Sequence, residues 1–217
     1  PNLVALVALL MGVYRLSKRQ VKGLLNDCFE IKISTGSVVK QQKAVSQALA
    51  APVEKVSGYV QEQSVRNVDE TGWYQHDQDK KSWLWVVVTQ MVTVYKIAES
   101  RAGKEAKALL GETSKGIVGS DRFSAYNWLA NQLRQICWAH LVRDFQKILE
   151  REGASGVIGR HLRQEGEEVL ALWARIRDGT LSYADFQAKL PDIKDRIHFW
   201  LTAGASCPHK KTSKTCS

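Results

Sequence analysis

A run of aromatic and β-branched residues, SWLWVVVTQ at 82–90, constrains this chain most, because such a run reads as a buried strand. A strand buried this way needs neighbours, and the flanking sequence supplies them. SVRNVDET at 64–71 reads as a strand ending in acidic residues, and VTVYKIAES at 92–100 as a strand with period-two alternation. A polar turn, HDQDKK at 76–81, separates the first two, so the three predict an antiparallel meander. AGKEAKALLG at 102–111 predicts a short helix stopped by Gly111. KGIVGSD at 115–121 predicts a strand terminating at Asp121, residues 123–133 a helix, RQICWA at 134–139 a fifth strand, and HLVRDFQKILERE the start of a long helix. Strands and helices in this order predict an α/β fold with a mixed sheet.

The flanks follow a different grammar. Across residues 1–63 the apolar positions recur at helical spacing, with Ser17 and Ser34 placed as N-caps and Pro52 placed to start a third helix. Helix, short turn and capped helix outline a candidate helix-turn-helix, whose second helix carries Lys40 and Lys43. A helical hairpin that packs on the next domain fits the same pattern. Residues 151–203 again read as helical, broken near Gly179, and residues 204–217 lack periodicity and read as a truncated tail. The predicted organisation is therefore 1–63 helical, 64–150 an α/β core, 151–203 helical, 204–217 tail.

Charge and cysteine usage narrow the setting. Of the +9 net charge, residues 64–150 hold 12 Lys/Arg against 10 Asp/Glu, while residues 1–63 hold 8 against 4 and residues 151–217 hold 11 against 8. A nearly neutral core between basic arms suits a polyanionic partner, as it suits an ordinary basic protein. Cys28, Cys137, Cys207 and Cys216 form no paired CxxC pattern, which argues against a disulfide framework and fits a reducing, cytoplasmic setting. The apolar stretch Leu3–Met11 is too short to span a bilayer, so no membrane partner is expected.

Asp69 and Asp121 carry the clearest chemical signal. In an open sheet, functional groups gather at the carboxyl ends of strands. If their strands are neighbours, the two carboxylates converge, and a divalent cation is the usual remedy for their repulsion. Two such ions about 3.5–4 Å apart serve phosphodiester chemistry. A turn cap and a helix cap are the plainer alternative. Glu70, next to Asp69, would face the other side of the strand.

Four segments in order, VDETGWYQ at 68–75, WLWVVVT at 83–89, GSDRFSAYN at 119–127 and QICWAHLVRDF at 135–145, resemble the insertion-sequence-66 family of bacterial transposases. The resemblance extends to the N-terminal helices. It implies an RNase H-like core, which matches the strand and helix order above, and a DDE-type enzyme binding Mg²⁺ or Mn²⁺ through two Asp and one Glu. It also implies cleavage of transposon ends and their joining to target DNA. Asp69 matches the first acid and Asp121 the second, and a homo-oligomer is compatible with such a reaction. The departure is the third acid: the helical stretch 157–201 fits the family's insertion, but no Asn-Asn-x-x-Glu-Arg motif follows it. The expectation is an incomplete copy, whether a weakened transposase, a non-catalytic remnant that binds transposon ends, or an RNase H-like nuclease.

Other residues allow a sharp and a plain reading. His140 can contact DNA phosphate, order a neighbouring carboxylate, or cap its helix. Arg122 and Arg143 can neutralise a DNA strand or sit in surface ion pairs. Cys137 and His140 could begin a zinc site completed by Cys207, His209 and Cys216, although a buried small thiol explains Cys137 equally. Trp73 could stack on a base, whereas the remaining tryptophans fit core positions.

Overall fold

A computed structural model describes residues 2–74 and 81–217. The polar turn expected at 76–81 lies outside the described residues except for Lys81. Helices α1 (Asn2–Gly12), α2 (Lys18–Phe29) and α3 (Thr35–Gln61) precede strands β1 (Val65–Trp73), β2 (Ser82–Val88) and β3 (Thr93–Ala98). Then follow α4 (Gly103–Leu110), β4 (Ile117–Ser120), two 3-10 turns (Ser124–Tyr126 and Asn131–Leu133), β5 (Arg134–Ile136), α5 (Trp138–Leu149), α6 (Ala154–Arg177), α7 (Tyr183–Ala205) and α8 (Lys210–Cys216).

Local chemistry starts the N-terminal helices where expected. Ser17 Oγ accepts the Gln20 amide while Gln20 Oε1 accepts the Ser17 amide, a reciprocal capping box. Ser34 Oγ accepts the Ser37 amide at 3.0 Å. Val7, Leu10, Val21, Leu25 and Val38 then close a small core shared by α1, α2 and α3. Pro52 does not begin a new helix: α3 runs through it. Its two ends are anchored in different cores, Val38 in the N-terminal cluster and Val60 against the sheet, and these anchors offset the bond lost at the proline.

The sheet order is β3-β2-β1-β4-β5, with the first three strands antiparallel and β1, β4 and β5 parallel. The α/β fold and the meander are as the sequence predicts. Along β1, Arg66, Val68 and Glu70 are buried while Val65, Asn67 and Asp69 are exposed. The buried side packs Val68, Trp85, Val87 and Val118 against Val60, Leu109, Leu110 and Tyr126. On the other side Val65, Val88, Tyr95, Ile97 and Ile117 are exposed. Strand β1 does not end at Asp69, because its pairing with β2 continues to Trp73 opposite Ser82.

Residues 123–133 form short 3-10 turns and irregular backbone instead of the expected helix. Arg134 occupies the carbonyls of Asp121 and Phe123, at 2.9 and 3.2 Å, which a helix starting there would need for its own ladder. The tail also departs from expectation. Residues 210–216 form α8, with Thr212 fully buried and bonded to Arg151 and Ser155. Its anchor is polar, so a search for apolar periodicity passes over it. Gly179, at φ +79°, separates α6 from α7 as expected. Among the described residues, no helix is long and apolar enough to cross a membrane.

Candidate active site

Strand register places the two aspartates together. Asn67 on β1 pairs with Gly119 on β4, and the strands are parallel. Asp69 lies two residues further along β1, on its exposed face, and Asp121 directly follows the end of β4. They line one shallow depression of ≈ 270 Å³ with Asn67, Val86, Gly119, Cys137 and His140. A Cβ at Gly119 would meet Asn67 Oδ1 at 2.3 Å, so a larger residue here would make the exposed Asn67 side chain move.

Each aspartate is oriented by its own backbone. Asp69 Oδ1 accepts the Glu70 amide and Asp121 Oδ1 accepts the Phe123 amide, both at 2.9 Å. No donor among the described residues bonds either Oδ2. Two hard carboxylate oxygens on one face fit a divalent cation such as Mg²⁺ or Mn²⁺. No third His, Cys, Asp or Glu completes a cluster with them among the described residues.

A larger groove of ≈ 770 Å³ adjoins Asp121, lined by Arg101, Arg122, His140, Asp144, Lys147 and Lys214 among others. The family profile described as Transposase IS66 family matches residues 1–216. The chain belongs to this family. No curated protein matches it.

Within this IS66-family chain the remaining expected site residues divide. His140, in the first turn of α5, lines both the depression and the groove, and its buried Nδ1 has no hydrogen-bond partner among the described residues. Arg122 lines the groove but is engaged, donating to Asp144 at 2.8 Å and to the Thr215 carbonyl at 2.5 Å. Arg143 turns back onto the Ala139 carbonyl and lines neither cavity. Lys40 and Lys43 lie exposed on α3, outside both cavities. The zinc alternative does not assemble among the described residues. Cys207 and Cys216 pack against the Phe145, Ile148, Ile158 and Leu162 cluster, and His209 accepts the Thr212 amide. Trp73 is exposed at the end of β1.

Sequence reasoning set Glu70 aside, and it underestimated that residue. Its carboxylate is fully buried beneath the sheet, accepts a short hydrogen bond from the Tyr126 hydroxyl, and pairs with Arg101 at 2.6 Å. Burial raises its pKa, opposed by the Tyr126 and Arg101 contacts. Burial and the Glu70 contact push the Tyr126 hydroxyl far up, so it stays protonated and donates. The signal was available: alternation puts Glu70 on the core face, where a carboxylate needs partners. Asp144, the surface partner to be expected for Arg143, pairs with Arg122 and Lys147 instead. Burial works to raise its pKa, but the Lys147 and Arg122 contacts outweigh burial and hold it below the ordinary carboxylate range.

Proposed function

We propose that the chain is the catalytic region of a DDE-type DNA transposase built on an RNase H-like core, acting on transposon terminal repeats and target DNA. The observation that carries this reading is that Asp69 and Asp121, from the adjacent parallel strands β1 and β4, line one depression of a 3-2-1-4-5 mixed sheet. In this reading residues 64–150 are the core, residues 1–63 an arm that presents Lys40 and Lys43 to DNA, and residues 151–203 the helical insertion. Asp69 and Asp121 hold Mg²⁺ or Mn²⁺. A cation held by these two residues would supply activation of the attacking oxygen and charge relief at the leaving oxygen of a phosphodiester. The chain's own work is placement: the acids set where a cation-held phosphate would lie, His140 offers a ring nitrogen beside it, and Lys214, with Lys147 exchanging its 3.0 Å contact to Asp144, receives the adjoining phosphates.

No third carboxylate joins Asp69 and Asp121 among the described residues. Glu165 and Glu168 are held by Arg196 instead, at 2.8 Å each. With Glu165 and Glu168 engaged in this way, a second reading is a protein that binds transposon ends without cutting them.

Incubation with terminal-repeat DNA and Mn²⁺ separates the two. Metal-dependent nicking that disappears in Asp69→Ala and Asp121→Ala supports the enzyme. Gel-shift binding without nicking supports the end-binding protein, and nicking untouched by both substitutions removes the acids from the site. Lys147→Ala and Lys214→Ala are each expected to weaken DNA binding and to lower the salt slope by about 1. An unchanged slope would place the strand elsewhere.

A further inference from the structure

The backbone ladder between β1 and β4 ends at Asn67 opposite Gly119, before either aspartate is reached. The separation of Asp69 from Asp121 is therefore not set by hydrogen bonds between their own strands. Two side-chain links run beneath the sheet instead, and both pass through Glu70.

The first link joins Glu70 Oε2 to the Tyr126 hydroxyl. Tyr126 ends the 3-10 turn that follows Asp121, and that turn is held rigidly. Asp121 Oδ1 accepts the Phe123 amide, and Arg134 clasps the carbonyls of Asp121 and Phe123. The second link joins Glu70 Oε1 to Arg101, whose guanidinium carbon lies 3.8 Å from the centroid of the Phe123 ring. At the β1 end, Glu70 and Asp69 are consecutive on a strand and the Glu70 amide donates to Asp69 Oδ1. A displacement of Glu70 thus turns Asp69.

We infer that Glu70, Arg101 and Tyr126 form a strut under the sheet that sets the separation of the Asp69 and Asp121 carboxylates. Glu70 and Tyr126 are positioning residues buried beneath the sheet, and Arg101, which also lines the groove, acts on the acids through Glu70. A buried carboxylate costs stability unless its bonds are satisfied, and directional bonds give a geometric constraint that apolar packing at this position would not. The inference rests on the metal-site reading above.

The test uses the full chain with Tyr126→Phe and Glu70→Gln, which keep ring and side-chain shape. Mn²⁺ binding is followed by the electron paramagnetic resonance signal of the free ion, and amide hydrogen exchange is followed at Phe123 and Val118. Each variant is expected to lose about tenfold in Mn²⁺ affinity, as removal of a residue that orients a metal ligand does. Exchange at Phe123, whose amide reports where the Asp121 carboxylate sits, is expected to accelerate more than exchange at Val118 in the same sheet. If both amides accelerate equally and Mn²⁺ affinity stays at the wild-type level, the contact supports the fold alone and the strut is wrong. If the wild-type chain takes up no Mn²⁺, the metal reading fails, and the Phe123-to-Val118 comparison still decides the strut.

Discussion

Gly159→Ala is expected to destabilise the chain by about 3 kcal/mol, the upper end of the usual cost of overpacking. A Cβ at this position in α6 would lie 2.1 Å from Leu149 N and 2.5 Å from Ile148 C. Both are backbone atoms of the preceding helical segment, so no rotamer change relieves the overlap. Nearby, a Cβ at Gly156 would meet the Arg151 carbonyl at 2.4 Å. The α5–α6 hairpin is thus closed by direct backbone approach, and a methyl group forces the helices apart. Phe145, Ile148, Ile158 and Leu162, buried between them, would lose their packing. In a chain of this size the thermal midpoint should fall by roughly 6–12 °C. Gly58→Ala supplies the contrast, since it is exposed in α3 with nothing within 4 Å of its Cβ position. It should stabilise by up to about 1 kcal/mol. Thermal unfolding of both variants checks the pair, and a neutral Gly159→Ala would show that the helices can slide apart freely. The functional consequence is a displaced groove wall, because α5 carries His140, Asp144 and Lys147.

Arg66→Met should cost a similar amount, about 3 kcal/mol. Arg66 is fully buried on the core face of β1 and has no carboxylate partner among the described residues. Its guanidinium donates instead to the carbonyls of Gln61, Leu110 and Gly116 and to Ser114 Oγ, at 2.8, 2.9, 3.4 and 2.6 Å. Gln61 and Leu110 are the last residues of α3 and α4, where unpaired carbonyls concentrate negative charge. One planar fork therefore ties two helix ends and the approach to β4 onto the strand that bears Asp69. Burial lowers the pKa of Arg66 but leaves an arginine charged at neutral pH. Methionine fills the volume and leaves those acceptors without their donor. Arg66→Lys should recover only part of the loss, since an ammonium lacks the fork. Urea unfolding gives the ranking wild type, lysine, methionine. Equal midpoints would mean that the desolvation of the cation cancels its bonds.

How much of this was legible beforehand depended on whether the determining interaction was local. The strands were readable because alternation is a local consequence of one covered sheet face. Ser17 and Ser34 were readable because a cap needs only its own first turn. The continuous α3 was not, because Pro52 alone argues for a break and only two separate cores outweigh it. Nor were residues 123–133, where Arg134 takes the carbonyls from a position further along the chain. Among the site residues, Asp69 and Asp121 could be named as a pair, but Arg122 is engaged by Asp144 and Arg143 by its own helix.

The amino-acid sequence by itself determined the α/β order, the helix starts, the family motifs and the two acidic strand positions. Each depends on period, capping or residue identity within a short window. Tertiary structure alone decided which faces meet. It brought Asp69 and Asp121 to one depression just past the end of the β1–β4 ladder, bonded Glu70 beneath the sheet to Tyr126 and Arg101, and folded α8 against the groove. Those outcomes join residues distant along the chain, and no local pattern encodes which of many possible partners the packing selects.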